Sequence, residues 1–297
     1  MNKHCTILLN NRAGALHATA SLEQMQEMVA EIGLDAEVVG TDSAESMQAT
    51  IKQLVAAGVE KIAVAGGDGT VGLAVPELAH TQTALGIIPQ GTFNNFATAL
   101  RLPQDLPSAL RTLKDGEVVE VDLGRVEGPG IQRRYFTEAA GVGLFADSLA
   151  LYGEGSNKNF LRGLYAMTHV FLSFQAHRLR LVVDGEPQVE RAVMCIISNT
   201  YRMAQGVPVA PGAKLTDGEL DVVIVGDLKR NELLPYYRAF RAQMHLNLPH
   251  VTSLRAKEVR LEARRRLNVH CDSDVVGTTP VTVSAQPGAL KVLVDRL

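Results

Sequence analysis

The sequence predicts two domains: an N-terminal α/β domain with a mainly parallel sheet, and a C-terminal domain built as an antiparallel β-sandwich. Three observations support this fold class. The chain has 297 residues, about twice the length of a typical domain. Its first part alternates short apolar runs with apolar residues at helical spacing, as in βαβ units. From residues 118–124 onward, longer stretches of alternating apolar and polar residues are separated by Gly or Pro turns, as in hairpins.

Four strand-helix units account for the N-terminal domain. The predicted strands are Cys5–Leu9, Ala36–Val39, Ile62–Ala65 and Leu85–Ile88. Apolar side chains at helical spacing predict the first helix: Leu22, Met25, Val29 and Ile32. Gly33 stands where its C-cap belongs, Asp42 and Glu45 have the spacing of a capping box, and Gly58 closes the second helix. This alternation predicts a parallel sheet that binds ligands outside the carboxyl ends of its strands.

The third strand leads into a glycine-rich turn, after which helical spacing begins. The turn consists of Gly66, Gly67, Asp68, Gly69 and Thr70. Glycine lets a ligand approach the main chain, and the following helix offers free N–H groups at its positive end, so a phosphate fits this turn. A second loop, with Gly91 and Thr92, reaches the same predicted sheet edge. The alternative is an ordinary connection, because Gly and Asp are common turn residues.

The C-terminal part combines strands with two helical stretches. The predicted strands are Leu179–Val183, Val189–Ser198, Leu220–Val225, Val259–Ala263 and Leu267–Cys271. The helical stretches lie at residues 161–172 and 233–244. The second has Arg238 and Arg241 beside an apolar face, which comprises Leu233, Tyr237, Phe240 and Met244. Such a face usually packs against the core, and contact with a lipid tail is the alternative.

Composition argues against several classes of protein. With 46% hydrophobic residues and no apolar run near the ~18 residues that span a bilayer, the chain is predicted to be globular. The start of the chain lacks the apolar region of a signal peptide, so we expect a cytoplasmic protein. A net charge of −3 argues against nucleic acid as a partner. The three cysteines have no CxxC spacing, which argues against disulfides and a zinc site.

Two acidic segments supply candidate groups for phosphoryl transfer, which requires bound phosphates, a metal ion and a base for the attacking hydroxyl. The carboxylates of Asp217–Asp221 could hold Mg²⁺, with a solvated turn as the alternative. If the strand Leu267–Cys271 continues, Asp272 and Asp274 share one face at roughly 6 to 7 Å. One carboxylate could then raise the pKa of the other and suit it to general base catalysis. A polar strand edge is the alternative.

In these residues the chain resembles the diacylglycerol kinase catalytic-domain family, in particular the soluble bacterial lipid kinases, which are related to sphingosine, ceramide and NAD kinases. The resemblance covers nearly the whole chain. Its motifs, in order, are the turn Asn10-Asn11-Arg12-Ala13-Gly14, the GGDGT turn, the Pro-x-Gly-Thr-x-Asn loop at 89–94, the Ala-Pro to Asp-Gly segment at 210–218, and an acidic pair near the end.

The resemblance implies that residues 1–122 form an ATP-binding domain similar to that of NAD kinases. A final strand would return to this domain, so residues 288–297 would also belong to it. Residues 123–287 would form the β-sandwich, with the lipid substrate and the metal. By position, the residues that contact ATP would be Asn10, Thr41, Gly66, Gly67, Asp68, Gly69, Thr70, Gly91, Thr92 and Asn94. The resemblance assigns Mg²⁺ to Asp217 and to main-chain oxygens at Lys214 and Glu219, and the base to Asp272 and Asp274.

Three departures from the family pattern bear on activity. Asp272-Ser273-Asp274 replaces the usual Asp-Gly-Glu, so the second carboxylate is one methylene shorter. A displacement of about one ångström can lower a rate ~10²-fold. Asn95 stands where Asp is common, and Gly72-Leu73 replaces Asn-Glu. The departures leave the predicted fold unchanged and bear on catalytic efficiency or substrate choice.

We therefore expect an ATP- and Mg²⁺-dependent lipid kinase that transfers the γ-phosphoryl group to a hydroxyl of a diacylglycerol-like lipid. The protein would reach this lipid at a membrane surface. It would be a cytoplasmic protein that associates transiently with the membrane as a peripheral protein. No nucleic acid is expected as a partner, and a homodimer stays open. One alternative is an NAD-kinase-like enzyme that phosphorylates a soluble alcohol. The other is a nucleotide- or lipid-binding sensor that has lost turnover.

Overall fold

The computed structural model describes residues 5–10, 20–152 and 175–296, except for the side chains of Gln132, Arg133 and Tyr152. The helix predicted at residues 161–172 lies outside the described residues. The chain forms two compact units: unit one comprises residues 1–122 and 288–297, and unit two comprises residues 123–287. Each unit has its own hydrophobic core.

Unit one contains the predicted parallel sheet. Its strands are β1 (Cys5–Asn10), β2 (Ala36–Thr41), β3 (Lys61–Gly66) and β4 (Ala84–Pro89). They pair in parallel in the order β2-β1-β3-β4, and Val292 near the end of the chain pairs in parallel with Leu85. Strands β1, β3 and β4 are apolar and buried along nearly their whole length, which is typical of a parallel sheet covered on both faces.

Five helices accompany this sheet in the described part of unit one. They are α1 (Leu22–Ile32), α2 (Ala44–Ala56), α3 (Asp68–Leu78), α4 (Asn95–Ala99) and α5 (Leu106–Asp115). Ser21 caps α1, and Gly33 ends it with a φ of 67°, as the sequence predicts. The predicted capping box of Asp42 and Glu45 is wrong, because the hydroxyl of Ser43 caps α2 instead. Side-chain caps of this kind stabilise a helix by about 1 kcal/mol.

Unit two is an antiparallel β-sandwich, as predicted. Its strands are β5 (Glu117–Gly128), β6 (Ile131–Phe136), β7 (Ala139–Gly143), β8 (His177–Val183), β9 (Glu186–Ser198), β10 (Arg202–Met203), β11 (Val207–Pro208), β12 (Leu220–Gly226), β13 (Val251–Ala256), β14 (Glu258–Ala263), β15 (Asn268–Cys271), β16 (Asp274–Thr278) and β17 (Val281–Val294). The unit boundaries fall inside β5 and β17. The pairing order is β16-β15-β7-β9-β8-β14-β17, with β12 paired to β9 and β13.

Alternating side chains of these strands build the core of unit two. Phe136, Leu181, Ile197, Val222 and Leu261 belong to one buried cluster. Burying such a side chain contributes about 1.5–3 kcal/mol, so the alternation itself selects the face that each strand turns inward.

Two α-helices of unit two lie in the described residues, α6 (Leu144–Tyr152) and α7 (Leu233–Arg241), and short 3₁₀ helices at Arg230–Glu232 and His245–Asn247 flank α7. Tyr236 and Phe240 of α7 are buried against an apolar cluster of the sandwich. The predicted apolar face of this helix is wrong in part, because Tyr237 is exposed and Met244 lies beyond the end of α7 and is exposed. The helix therefore packs through a face turned by about one residue from the predicted one.

Candidate functional site

The carboxyl ends of the four parallel strands bring the predicted nucleotide residues of unit one to one edge. Asn10 ends β1 and pairs with Thr41 at the end of β2, while Gly66 ends β3 and pairs with Pro89 at the end of β4. The hydroxyl of Thr41 is buried and donates to the carbonyl of Leu9 at 3.1 Å. This hydroxyl therefore joins two strand ends, a structural role that the sequence did not indicate.

The glycine turn forms the start of α3, as the sequence predicts. Gly67 is the N-cap, no side chain caps this end, and Asp68 is the first helical residue. The first N–H groups of a helix carry partial positive charge and bind anions. Added Cβ atoms at Gly69 and Gly72 would meet nothing within 4 Å, so open space adjoins this helix start. The turn can therefore receive a phosphate at its main chain.

The structure brings the two loops of unit one into direct contact. A Cβ added at Gly91 would lie 2.4 Å from the Cα of Gly67, so only glycines allow this close approach. The backbone amide of Gln90 donates to the carbonyl of Gly66 at 2.9 Å. The carboxylate of Asp68 accepts a hydrogen bond from the backbone amide of Phe96 at 3.3 Å. Asp68 therefore ties the glycine turn to α4, which accounts for a carboxylate beside a proposed phosphate position.

Asn94 shapes the second loop from within. It has a left-handed φ of 49° and is buried. Its side-chain oxygen accepts from the backbone amide of Gly91 at 2.9 Å, and its amide group donates to the carbonyl of the same residue at 3.1 Å. Asn tolerates this backbone conformation better than most residues. By contrast, Thr92 is exposed at the loop surface, so of these two predicted contacts Thr92 has the side chain that a ligand can reach from solvent.

A cavity of about 580 Å³ in unit one borders the second loop. Its described lining residues are Ala20, Gln24, Glu27, Met28, Pro89, Gln90, Gln104 and Leu106. Gln104 also accepts a hydrogen bond from Asn94 at 3.2 Å, so the cavity wall and the loop are connected. The volume lies in the range of small-molecule sites.

In unit two, the first acidic segment is paired with an arginine. The guanidinium of Arg255 contacts the carboxylate of Asp217 and lies 3.0 Å from Oε2 of Glu219. The nearby Asp221 is buried, which raises its pKa, while the charge of Arg255 acts to lower it. Lys214, also predicted at this site, has an exposed side chain.

The side chains of this acidic segment do not by themselves form a Mg²⁺ site. Carboxylates are suitable ligands for Mg²⁺, so Asp217 and Glu219 are of the right chemical type. However, both carboxylates already contact the positive charge of Arg255. Across residues 5–10, 20–152 and 175–296, no group of three or more His, Cys, Asp or Glu side chains is arranged to hold a metal ion. As they stand, these side chains do not fit the metal, and the main-chain ligands at Lys214 and Glu219 stay a prediction.

The second acidic segment forms a tight hairpin. The prediction that one continuing strand places Asp272 and Asp274 on the same face is wrong. Strand β15 ends at Cys271, which pairs with Asp274 at the start of β16, so Asp272 and Ser273 form the turn. Asp272 adopts a left-handed φ of 51°. A two-residue hairpin needs such a conformation, and Asp tolerates it.

The hairpin gives its two carboxylates different surroundings. The carboxylate of Asp272 accepts from the backbone amides of Thr137 at 3.1 Å, Glu138 at 2.8 Å and Ala139 at 3.1 Å, and from the hydroxyl of Thr137 at 3.4 Å. Burial raises the pKa of Asp272 to about 6, although these hydrogen bonds act to lower it. Asp274 is exposed and pairs with the guanidinium of Arg134 at 2.5 Å. The raised pKa of Asp272 therefore suits this carboxylate to general base catalysis.

Sequence reasoning missed three groups that act on the predicted residues. These are Arg255 and Arg134, which pair with the acidic segments, and the Thr137–Ala139 segment, which holds Asp272. His270 beside the hairpin is fully buried, its Nδ1 lies 3.3 Å from the carbonyl of Asp272, and burial lowers its pKa to about 4. No local pattern marks Arg255, Arg134 or the Thr137–Ala139 segment, because they are far in sequence from the acidic residues that they contact.

Comparisons with known proteins match both parts of the chain. The family model of the diacylglycerol kinase catalytic domain matches residues 4–126, and that of the YegS C-terminal NAD kinase beta sandwich-like domain matches residues 152–294. Within the described residues, no helix is long and apolar enough to cross a membrane.

Individual relatives agree with these matches. A diacylglycerol kinase of Mycobacterium tuberculosis is 33% identical over 269 residues, which cover 88% of this chain and 84% of the relative. A diacylglycerol kinase of Bacillus subtilis is 26% identical, over 94% of this chain and 92% of the relative. The crystal structure of a diacylglycerol kinase from Bacillus anthracis has the same fold, with a TM-score of 0.75 at 20% identity, over 99% of this chain and 97% of that one. The chain therefore belongs to the diacylglycerol kinase family and is a kinase, a phosphotransferase with an alcohol as acceptor.

Proposed function

We propose that this protein transfers the γ-phosphoryl group of ATP to a hydroxyl of a diacylglycerol-like lipid. The observation that carries the proposal is the start of α3, where an uncapped helix end and two touching glycine loops adjoin open space. Main-chain amides at such a position suit phosphate groups. The relatives named diacylglycerol kinases support a lipid as the acceptor.

The proposal gives the two units different tasks. In unit one, the main chain from Gly66 to Thr70 and the exposed Thr92 would bind and orient the phosphates. The cavity beside the second loop would accommodate another part of the nucleotide. In unit two, Asp272 would accept the proton of the acceptor hydroxyl. Positioning and electrostatic stabilisation provide most of the catalysis in phosphoryl transfer, so fixed main-chain donors suit this reaction.

In the proposed step, the acceptor oxygen forms a bond to the γ-phosphorus, and the bond from that phosphorus to the β,γ-bridging oxygen breaks, so ADP leaves. The proton of the hydroxyl passes to the carboxylate of Asp272. The three backbone amides keep this carboxylate in place. The 3.4 Å contact from the hydroxyl of Thr137 is the longest of its hydrogen bonds. Because a hydroxyl can rotate away, an acceptor hydroxyl could replace it at Oδ2.

The proposal includes Mg²⁺ as a companion of ATP, where it would neutralise phosphate charge. No catalytic step is assigned to a metal at Asp217 and Glu219, because Arg255 contacts both carboxylates. A lipid acceptor implies transient, peripheral contact of the protein with a membrane surface. A homodimer stays a prediction.

The test is transfer from γ-labelled ATP with Mg²⁺ to a total lipid extract, with NAD as a parallel acceptor. We expect a labelled lipid with the wild type and at least a 100-fold lower rate with Asp272→Asn, because the amide accepts no proton. Asp115→Asn removes an exposed carboxylate outside the proposed site and serves as the matched control.

Each other outcome counts against the proposal. Label on NAD alone would support the NAD-kinase-like alternative. Bound ATP without label on any acceptor would support the sensor. Full activity of Asp272→Asn would show that the base is another group.

A further inference from the structure

Helix α7 carries a strip of exposed apolar and basic side chains. The strip consists of Leu234, Tyr237, Arg238 and Arg241, and all four side chains are exposed. At 100° per residue these positions lie within about 100° of one another around the helix. They share one face, so they can contact the same surface at the same time.

The opposite side of α7 fixes the orientation of this strip. Tyr236 and Phe240 are buried, and the hydroxyl of Tyr236 donates to the carbonyl of Pro249. Phe240 also stacks on the buried ring of His245, with 3.9 Å between the ring centroids. Because these contacts hold the helix from the inside, the outward strip is a fixed feature of unit two.

The exposed apolar surface continues past the end of the helix. Met244 is 60% exposed, similar to Leu234 and Tyr237 at 57% each, and Leu246 is 38% exposed. Of the seven large hydrophobic side chains exposed in the described ranges, four therefore lie within residues 234–246. Scattered exposed apolar residues are normal, but a cluster indicates a contact surface.

The charge of this segment is opposite to that of the whole chain. Residues 228–250 contain four Lys or Arg and one Glu, a net charge of +3, whereas the whole chain carries −3. The single acidic side chain, Glu232, accepts a hydrogen bond from the backbone amide of Lys229 at 2.7 Å. The preceding Asp227 pairs with Arg191 at 2.7 Å. The strip itself is thus basic and apolar without an acidic residue.

We infer that the strip, together with Met244 and Leu246, docks unit two on the surface of an anionic lipid bilayer. This inference rests on the proposed function, since a lipid acceptor has to be reached at a membrane. A bilayer surface fits because Tyr lies favourably at the interface, Leu and Met enter the acyl boundary, and Arg keeps its charge at the headgroups. Arginines placed between the apolar residues also suit anionic headgroups better than a dry protein interface, whose core is depleted of charge.

The test measures binding to vesicles of phosphatidylglycerol and phosphatidylcholine in equal parts, and to vesicles of phosphatidylcholine alone. One variant combines Leu234→Ser with Tyr237→Ser, and a second combines Arg238→Gln with Arg241→Gln. We expect the second variant to bind anionic vesicles on the order of 30-fold more weakly, from about 1 kcal/mol per arginine. We expect at least a tenfold loss for the first variant, whichever vesicles are used.

Two controls separate the strip from other exposed residues. Val189→Ser removes an exposed apolar side chain elsewhere in unit two, and Arg264→Gln with Arg265→Gln removes two exposed charges outside the strip. Both controls are expected to bind as the wild type does. If the arginine control loses binding and the strip variants keep it, the inference is overturned and the membrane contact lies at residues 264–266.

Kinase assays with a detergent-dispersed, short-chain diacylglycerol distinguish the inference from the proposed function. If both hold, the strip variants phosphorylate dispersed lipid at the wild-type rate and lose activity only on vesicles. If the wild type phosphorylates no lipid, and the strip variants still bind vesicles more weakly than the wild type, the proposed function fails and the docking surface stands. Unchanged vesicle binding in both variants, or a change from dimer to monomer with unchanged vesicle binding, overturns the inference.

Discussion

At the scale of single residues, Asp272 combines two opposing influences on one carboxylate. Three backbone amides stabilise its charged form, while burial favours its neutral form and raises its pKa to about 6. The neighbouring Asp274 is exposed and paired with Arg134, so the same acidic pair contains one candidate base and one surface ion pair. The departure from the family pattern at Asp274 therefore changes the exposed surface carboxylate and leaves the candidate base, Asp272, as it is.

The raised pKa predicts how the rate depends on pH. Below about pH 6 we expect kcat/KM for lipid phosphorylation to fall about tenfold per pH unit, because protonated Asp272 cannot accept a proton. The measurement is a rate profile between about pH 5 and 8, with Asp115→Asn as the control. A rate that stays level down to about pH 5 would contradict the assignment of Asp272 as the base.

Arg255 predicts how the protein responds to metal. In Arg255→Met, Asp217 and Glu219 lose their shared counter-charge, so we expect a loss of stability of up to about 1 kcal/mol, because the pair is partly exposed. Mg²⁺ should then restore the melting temperature of this variant and leave the wild type unchanged. The measurement is thermal unfolding with and without Mg²⁺ in the absence of nucleotide.

Arg180→Met is the matched control for this prediction, since Arg180 is an exposed arginine with its carboxylate partner at 3.9 Å. The opposite result, Mg²⁺ stabilising the wild type but not Arg255→Met, would show that a metal binds while Arg255 is in place.

At the scale of elements, the two loops of unit one show that a glycine motif contains glycines of different kinds. Gly67 and Gly91 are required by the close approach of two backbones. Gly69 has open space beside it and an ordinary helical position. The motif GGDGT thus combines internal packing with access for a ligand, and only the structure separates the two.

This difference predicts opposite outcomes for two Gly→Ala variants. Gly91→Ala places a methyl group 2.4 Å from the Cα of Gly67, so we expect a loss of stability of about 1–3 kcal/mol. Gly69→Ala should leave stability unchanged or raise it by up to about 1 kcal/mol, because Ala favours a helix. Its methyl group should instead weaken ATP binding at the main chain.

Urea unfolding and ATP titration of both variants check this prediction. Unchanged ATP affinity in Gly69→Ala would place the phosphates away from the start of α3. Unchanged stability in Gly91→Ala would show that the two loops separate easily.

At the scale of the whole molecule, each unit buries its own core, and unit two also buries titratable side chains. Burial lowers the pKa of His270 to about 4, and it also lowers the pKa of His245. Burial raises the pKa of Asp272 to about 6. The stability of the protein in mild acid therefore depends on groups that act in opposite directions.

The directions follow from where protons bind. Between about pH 7 and 5, the unfolded chain takes up a proton at His270 that the folded protein does not, which lowers the free energy of unfolding by about 2 kcal/mol. Over the same range the folded protein takes up a proton at Asp272 that the unfolded chain does not, and this uptake raises the free energy of unfolding by about 1 kcal/mol. His245 acts in the same direction as His270.

We therefore expect Asp272→Asn to lose about 1 kcal/mol more stability than the wild type between about pH 7 and 5. Urea unfolding at both pH values measures this difference within each variant, so a constant effect of the substitution cancels. Asp115→Asn should follow the wild type. Equal losses in wild type and Asp272→Asn would show that the pKa of Asp272 is not raised in the folded protein.

Much of the fold could be predicted because its signals are local. Apolar runs and helical spacing located strands β1 to β4 and helices α1 to α3 of unit one, and Gly33 marked the end of α1 through its left-handed backbone. The position of the glycine turn after a buried strand also placed it at a helix start, because a continuous apolar run gives way there to apolar residues at helical spacing. Local errors remained where neighbouring residues compete for one role, as Ser43 does with Asp42 at the start of α2.

By itself, the sequence determined the two-part architecture and the motifs that mark the family, because both depend on residue types at fixed separations along the chain. Only the tertiary structure decided what those motif residues contact. The donors that hold Asp272 lie about 135 positions earlier, and Arg255 lies 38 positions after Asp217. Likewise, which face of α7 is buried depends on the sandwich beneath it. Charge, burial and hydrogen bonding act through space, so the surroundings of a residue depend on which distant segments the fold brings beside it.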